Sequence, residues 1–441
     1  MDADAAREFL ARNGVRSVYV AYSDIHGVVR GKRFPLAGFA RIVRDGMRNC
    51  CGVFSKDATG TPVEATGILW ENGADDNQMR PCLETLALAP WSPDAAIVLA
   101  DVFDADGSPL PQAPRHVLRR VVERFRAATG AEPVVGCELE FTVQRADGVP
   151  PSAGTQAYSL QQMTLGGPFL DTLAAALETA GIPVGSIAAE NSDGQFEIGL
   201  DHCGALAQAD RMFLAKHLVK AVAAGHGWRA TFMGMPATGA SPNGLHVNLS
   251  LRAHGADGPG RTLFEMAGGR PNRAMAGAIA GLLAHSDDAL SLLLPTLNSF
   301  KAPYADTFFP RQASWGLDNR STLVRVPETE GEGCRIEYRL PTADANPYLA
   351  VATVLGMVER GLADGRELPA AVAGNGFART DLPQLDFHFD RALDRLAARE
   401  WLHDLLGAAF TRTFLTVKRA ESERLQAVVT DWERSTYGTF L

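Results

Sequence analysis

The stretch that most constrains this chain is residues 134–143, VVGCELEFTV. On a β-strand, positions two apart share a face, so Glu138 and Glu140 point one way and Cys137, Leu139 and Phe141 the other. Such a strand packs its apolar side on a core and holds two carboxylates side by side on the opposite face. Burying neighbouring carboxylates is costly unless a cation compensates them, and a divalent metal is the usual compensation.

The same device recurs three times. In residues 190–200, ENSDGQFEIGL, Gln195 and Glu197 alternate with Phe196 and Ile198, while Glu190 precedes the turn at 191–194. In residues 245–251, LHVNLSL, the polar set is His246, Asn248 and Ser250. In residues 335–340, RIEYRL, it is Arg335, Glu337 and Arg339. One half-polar strand usually faces water. Four of them, rich in metal- and phosphate-binding side chains, predict a curved sheet whose polar faces line one cavity.

At 441 residues the chain is long enough for two domains, and a net charge of −9 argues against nucleic acid or an anionic membrane as partner. No apolar run is long enough to span a bilayer, and the acidic start MDADAAREFL does not read as a signal peptide. The six cysteines show no CxxC spacing and read as reduced residues of a cytoplasmic protein.

In chain order, a helix over 4–12 precedes strands over 15–22 and 28–34, with Asp24 in the turn between them. On its own, Asp24 reads as a turn residue capping backbone amides. Residues 47–73 read as loops, followed by strands over 86–90 and 96–104. The Pro-rich SPLPQAP marks a boundary near residue 110, dividing the chain into domains at 1–110 and 111–441. Beyond it, helices are predicted over 114–129, 169–180, 205–224 and 273–294, with Pro295 ending the last. A largely irregular stretch, 298–325, leads to the strand at Arg335, and Asn346-Pro347 starts a helical C-terminal region. No Walker A loop or GxGxxG turn is present.

Glu138, Glu140, Glu190, Glu197, Glu337 and His246 form an oxygen-rich ligand set that suits Mg²⁺ or Mn²⁺ better than zinc. Five carboxylates are too many for one divalent ion, so at least two metals are expected, with phosphate oxygens completing their shells. Arg320, Arg325, Arg335 and Arg339 are expected to face the same cavity, as phosphoryl transfer needs. A glycosidase using Glu138 and Glu140 fails, because carboxylates two apart on one strand cannot flank a bond.

These residues also carry a family resemblance. ELEF, an E-x6-E element ending in GQFEI, NGLHVNLS, NSFK, WGLDNRS-x3-R and RIEYRLP-x3-ANPYL occur in the order found in glutamine synthetases. The chain looks most like the glutamate–amine ligase branch, the γ-glutamylpolyamine synthetases and their relatives. The resemblance implies an α+β fold: a small β-grasp N-terminal domain, then a catalytic domain with a curved antiparallel sheet surrounded by helices. It also implies a double-ring dodecamer with active sites between subunits.

By the matching motifs, Glu140, Glu190 and Glu197 would hold one metal, and Glu138, His246 and Glu337 the other. Asn248, Ser250, Arg325 and Arg335 would contact ATP. Arg320 would stabilise the transferred phosphoryl group, Arg339 would bind the carboxylate substrate, and Asp24 of a neighbouring subunit would bind the amine. The implied activity is an ATP-dependent amide ligation of glutamate through an acyl phosphate. A non-glutamate acid and a catalytically weak nucleotide-binding regulator are the alternatives.

Several positions depart from the family pattern. Ala302 replaces an Arg that grips glutamate, and residues 241–246, SPNGLH, replace an NGSGMH loop whose backbone, here at Gly244, touches it. Phe308, with Asp306 nearby, stands where a Glu closes over the ammonium site, and Asn248 where a His is usual. The metal and phosphate machinery is thus kept while both organic pockets are altered, which points away from plain glutamine synthesis and toward a larger amine.

Overall fold

The computed structural model describes residues 1–441 except 146, 151–155, 256–257, 306–307, 328–329 and 441. The chain opens with α1 (Ala3–Arg12), whose N-terminus is capped by the Asp2 carboxylate accepting from Asp4 N and Ala5 N. The hairpin β1 (Ser17–Ser23) and β2 (Val29–Pro35) follows as expected. Next come α2 (Leu36–Asp45), β3 (Met47–Cys50), β4 (Asp76–Pro81), β5 (Ala87–Leu88) and β6 (Ala95–Phe103). They form one sheet in the order β2-β1-β6-β4-β3, with β5 on β6 and with β1 and β6 parallel. Helix α2 crosses this sheet with Phe39 and Ile42 buried, giving the small β-grasp arrangement. Strands β3 and β4 (MRNC and DNQMRP) carry no legible alternation, and β3 stands where a loop was expected.

The second part begins with α3 (Pro114–Thr129), ended by Gly130 at φ +65°. Then follow β7 (Ala131–Arg145), α4 (Leu160–Leu165), α5 (Gly167–Thr179), β8 (Val184–Ala189), β9 (Gln195–Gly204) and α6 (Ala205–Gly225). After these come β10 (Trp228–Thr231), β11 (Leu245–Gly255), β12 (Gly258–Thr262) and a two-residue hairpin, β13 (Met266–Ala267) and β14 (Arg270–Pro271). The chain continues through α7 (Arg273–His285), α8 (Leu290–Leu293), β15 (Trp315–Leu317), β16 (Val324–Val326), β17 (Ile336–Tyr338) and α9 (Pro347–Asp364). It ends with α10 (Phe389–Ala398), α11 (Glu400–Leu406), α12 (Ala408–Gln426) and α13 (Asp431–Phe440).

A nine-stranded sheet runs β15-β16-β17-β11-β7-β9-β8, with β10 on β7 and β12 on β11. Every pair is antiparallel except β15 and β16. The apolar partners of the predicted polar sets, among them Leu139, Phe141, Ile198, Val247 and Ile336, are all buried. Helix α6 covers that apolar face, lying against β7, β9 and β10. The four patterned segments are adjacent in the sheet, so their polar faces meet, as the alternation predicted.

A buried ionic cluster joins the two sheets. Arg115 of α3 donates to Asp101 of β6 at 2.6 Å and through two nitrogens to Asp210 of α6 at 2.9 Å each. Tyr348 of α9 donates to the same Asp210 at 2.7 Å. Removing one partner from such a cluster strands a buried charge, at about 3–5 kcal/mol.

One helix reading needs correction. The single helix expected over 273–294 is broken between α7 and α8. Ser286 donates from its hydroxyl to Leu282 O, and Asp287 and Asp288 are drawn outward to Arg395 and Arg399. These side chains compete with the helical ladder where the C-terminal helices dock. Glu190 lies past the end of β8 at the hairpin corner, and the strand carrying Glu197 starts at Gln195. Among the described residues no helix is long and apolar enough to cross a membrane.

Candidate active site

Strand register assembles the site. Pairing of β7 with β11 sets Glu138 opposite His246, and pairing of β9 with β7 sets Glu197 opposite Glu140. Pairing of β17 with β11 sets Glu337 opposite Asn248. Directly opposed side chains in a ladder are in contact, so three local patterns become one continuous polar surface. Gly199, opposite Glu138, keeps the neighbouring strand close, since a Cβ there would lie 2.5 Å from Ser186 Oγ.

His246 sits at the centre. Its Nδ1 lies 3.1 Å from Glu138 Oε2 and 3.8 Å from Glu337 Oε1, and its Nε2 lies 3.8 Å from Glu140 Oε1. One ligand atom each of Glu138, Glu197 and His246 lie within 4.8 Å of one another. Glu140 Oε2 accepts from Gly244 N at 2.8 Å and from Gln195 Nε2 at 3.2 Å, which pins the 241–245 loop to the site. Asn248 donates to Glu138 Oε1 at 3.1 Å and accepts from Arg335 Nε at 3.2 Å. Glu337, fully buried, is held by Arg325 at 2.6 Å and by a short bond from Arg339.

The electrostatics register this crowding. Burial, with the negative charge of Glu140 added, pushes Glu190 up to about 7. Burial, with the charges of Glu138 and Glu140, pushes Glu197 up to about 8. Burial acts the same way on Glu138, but the hydrogen bond and charge of His246 outweigh it and hold Glu138 at about 2. Burial and Arg339 oppose a charge on His246, yet the adjoining carboxylates raise it above the ordinary imidazole range. Excess negative charge among oxygen donors is what a hard divalent cation relieves.

Two cavities meet at this cluster. The first, about 260 Å³, is lined by Glu140, Glu190, Glu197 and His246, by Arg320 and Arg339, and by Gly244, Tyr158, Pro242 and Phe308. The second, about 270 Å³, lies on the other side of Glu138 and is lined by Asn248, Ser250, Arg252, Arg335, Ser186 and His202. Arg339 is buried, and its Nε has no partner among the described residues.

The predicted arginines therefore divide. Arg320 and Arg339 face the first cavity and Arg335 the second. Arg325, on β16, is turned to Glu337 and Asp318 and lines neither. Ala302 is fully buried in the 3-10 turn Ser299–Tyr304 and also lines neither cavity. Within its own chain Asp24 sits in the turn between β1 and β2. Its carboxylate is buried and accepts from His26 N, Val28 N and Arg30 Nε, each at 2.9 Å, which is the capping-turn reading. Asp306 lies outside the described residues.

Two contributors went unnoticed in the sequence. Tyr158 lines the first cavity from a left-handed backbone, φ +63°, and has no motif to mark it. Fully buried Asn243 bonds Gln195 and Thr142 at 3.1 Å each and so shapes the 241–245 loop; the Asn-Gly dipeptide before His246 was its only signal.

The glutamine synthetase catalytic domain matches residues 111–437 of this chain. Gamma-glutamylputrescine synthetase of Escherichia coli strain K12 is 31% identical over 432 residues, covering 94% of this chain and 90% of that protein. Gamma-glutamylethanolamide synthetase of Streptomyces coelicolor is 32% identical over 445 residues, covering 96% and 93%. The solved GmaS/ADP complex superposes with a TM-score of 0.87 at 29% identity, covering 98% of this chain and 99% of that one. Motif order, sheet register and these likenesses agree: the chain belongs to the glutamine synthetase family.

Proposed function

We infer that this chain is an ATP-dependent ligase that forms an amide between the γ-carboxyl of L-glutamate and an organic amine. The observation that carries this reading is Arg339, a buried guanidinium with an unsatisfied Nε in a cavity that also holds Arg320 and three carboxylates. A buried donor of that kind calls for an anion. The second cavity, lined by Arg335, Asn248 and Ser250 across the cluster, supplies a separate place for the nucleotide. The names of the relatives point to the same chemistry, since each joins a γ-glutamyl group to an amine.

Glu140, Glu190 and Glu197 would hold one Mg²⁺ or Mn²⁺, and Glu138, His246 and Glu337 a second; the mutual repulsion of these carboxylates fits them to that task. Such ions, when bound, neutralise charge on the phosphate oxygens of ATP. Arg339 orients the carboxylate, and Arg320 stabilises the phosphoryl group as the γ-carboxylate oxygen attacks phosphorus and ADP departs. The amine nitrogen then attacks the carbonyl carbon of the acyl phosphate, phosphate leaves, and the nitrogen loses a proton. Dividing the condensation in two removes the need to expel hydroxide.

Assembly as a double-ring dodecamer in the cytoplasm belongs to the same proposal, as does division near residue 110. That boundary is supported by two sheets that share no strand and by the family match beginning at residue 111. The test is phosphate release from ATP with Mg²⁺ and glutamate against ammonium, monoamines and polyamines. No release with any acid–amine pair overturns the ligase reading, and activity that survives omission of glutamate moves it to another acid.

A further inference from the structure

The outer part of the first cavity has a composition of its own. Beyond the carboxylates, its outer wall is Tyr158, Phe308, Phe309, Pro310, Pro242 and Ala157. Tyr158 and Phe308 are 60% and 57% exposed, a large apolar investment at the mouth of a polar site. Phe308 is steadied edge-on by Phe377, with ring centroids 6.1 Å apart. Tyr158 is held there despite its left-handed backbone, an arrangement that costs a bulky residue on the order of 1 kcal/mol or more. Its amide anchors it by donating to Ala189 O at 2.8 Å, immediately before Glu190. Strain kept beside a candidate site is more readily explained by a ligand than by packing, because so much of the ring lies in the open.

Resting on the ligase reading, we propose that the amine is a monoamine with an apolar tail, its nitrogen toward Glu190 and its tail between Tyr158 and Phe308. Such a wall buries methylene or aryl surface. The six residues of the wall offer no carboxylate, so a second ammonium at the far end of the tail would be desolvated without a counter-charge. A diamine is thereby disfavoured relative to a monoamine of equal length, and ammonium leaves the wall unused.

The experiment measures kcat/KM for the full-length chain with ATP, Mg²⁺ and glutamate against a matched series. The series is ammonium, methylamine, ethylamine, n-butylamine, benzylamine and 1,4-diaminobutane. Each methylene buried against the wall is expected to raise kcat/KM about fourfold. n-Butylamine should exceed 1,4-diaminobutane at least tenfold. In Phe308→Ala and Tyr158→Ala the gain with tail length should flatten, the loss for n-butylamine exceeding that for methylamine about tenfold, at unchanged melting temperature. A best rate with ammonium or the diamine, or losses equal for short and long amines, overturns the tail site while leaving the ligase reading standing. Silence with every amine overturns both.

Discussion

Asn248 Nδ2 donates to Glu138 Oε1 at 3.1 Å while its Oδ1 accepts from Arg335 Nε at 3.2 Å. One amide thus fixes a candidate metal ligand and an arginine of the second cavity at once. Two adjoining strands create the relay, because β7 and β17 both pair with β11 around this position. Residues that orient metal ligands typically govern affinity by about 10–100-fold. Asn248→Ala is therefore expected to weaken Mn²⁺ binding by at least about tenfold, measured by calorimetric titration, and to raise the KM for ATP. An unchanged Mn²⁺ affinity would show that Glu138 needs no such support.

The raised groups predict how metal and pH interact. Glu190 moves from 4.5 to about 7 and Glu197 from 4.5 to about 8, so the metal-free fold binds protons that the unfolded chain has released. Their contribution to stability is favourable below about pH 4.5 and is lost as pH rises toward 8. A divalent cation reverses that loss and must displace protons when added below pH 7. The melting-temperature rise on adding Mg²⁺ should be larger at pH 8 than at pH 6. A rise independent of pH would contradict this account.

Arg320 is exposed and lines the first cavity, so its removal should spare the fold. Arg320→Ala is expected to lower kcat by about 10²–10³-fold, the usual effect of losing one preorganised donor to a charge that develops in the transition state. Circular dichroism melts should match the parent protein. A change in KM alone would assign Arg320 to binding instead.

Asp24 separates a turn cap from a chemical role. Two backbone amides and Arg30 occupy its carboxylate. Asp24→Asn should reduce stability by about 1–3 kcal/mol, the range for a buried charge-assisted network, as read by urea denaturation. kcat of the folded variant should change less than about threefold. A loss of a hundredfold or more with unchanged stability would place Asp24 in the amine site after all.

The ingredients of the centre are legible along the chain. Alternation along residues 134–143 and 245–251 follows from the two-residue period of a strand, and it told which side chains share a face without any knowledge of the neighbours. Helices α3, α6 and α9 were legible for the same reason, with local periodicity and a Pro or Gly at their ends. Strands β3 and β4 were not, because their residues carry no two-residue pattern. Ser286, Asp287 and Asp288 broke a helix only because the C-terminal helices supplied arginines to meet them.

Which polar residues point where depends on how the strands pair and the loops close. Pairing of β16 with β17 set Arg325 opposite Glu337, which Arg339 also reaches, while Arg335 was left facing the other cavity. Ala302 fell into the core and Asp24 into its own turn, while unmarked Tyr158 joined the marked Phe308 in the lining of the first cavity. Strand alternation is a local property, fixed by backbone geometry. Cavity membership is a property of register and loop closure, fixed by contacts between segments as distant along the chain as those of Glu138 and His246.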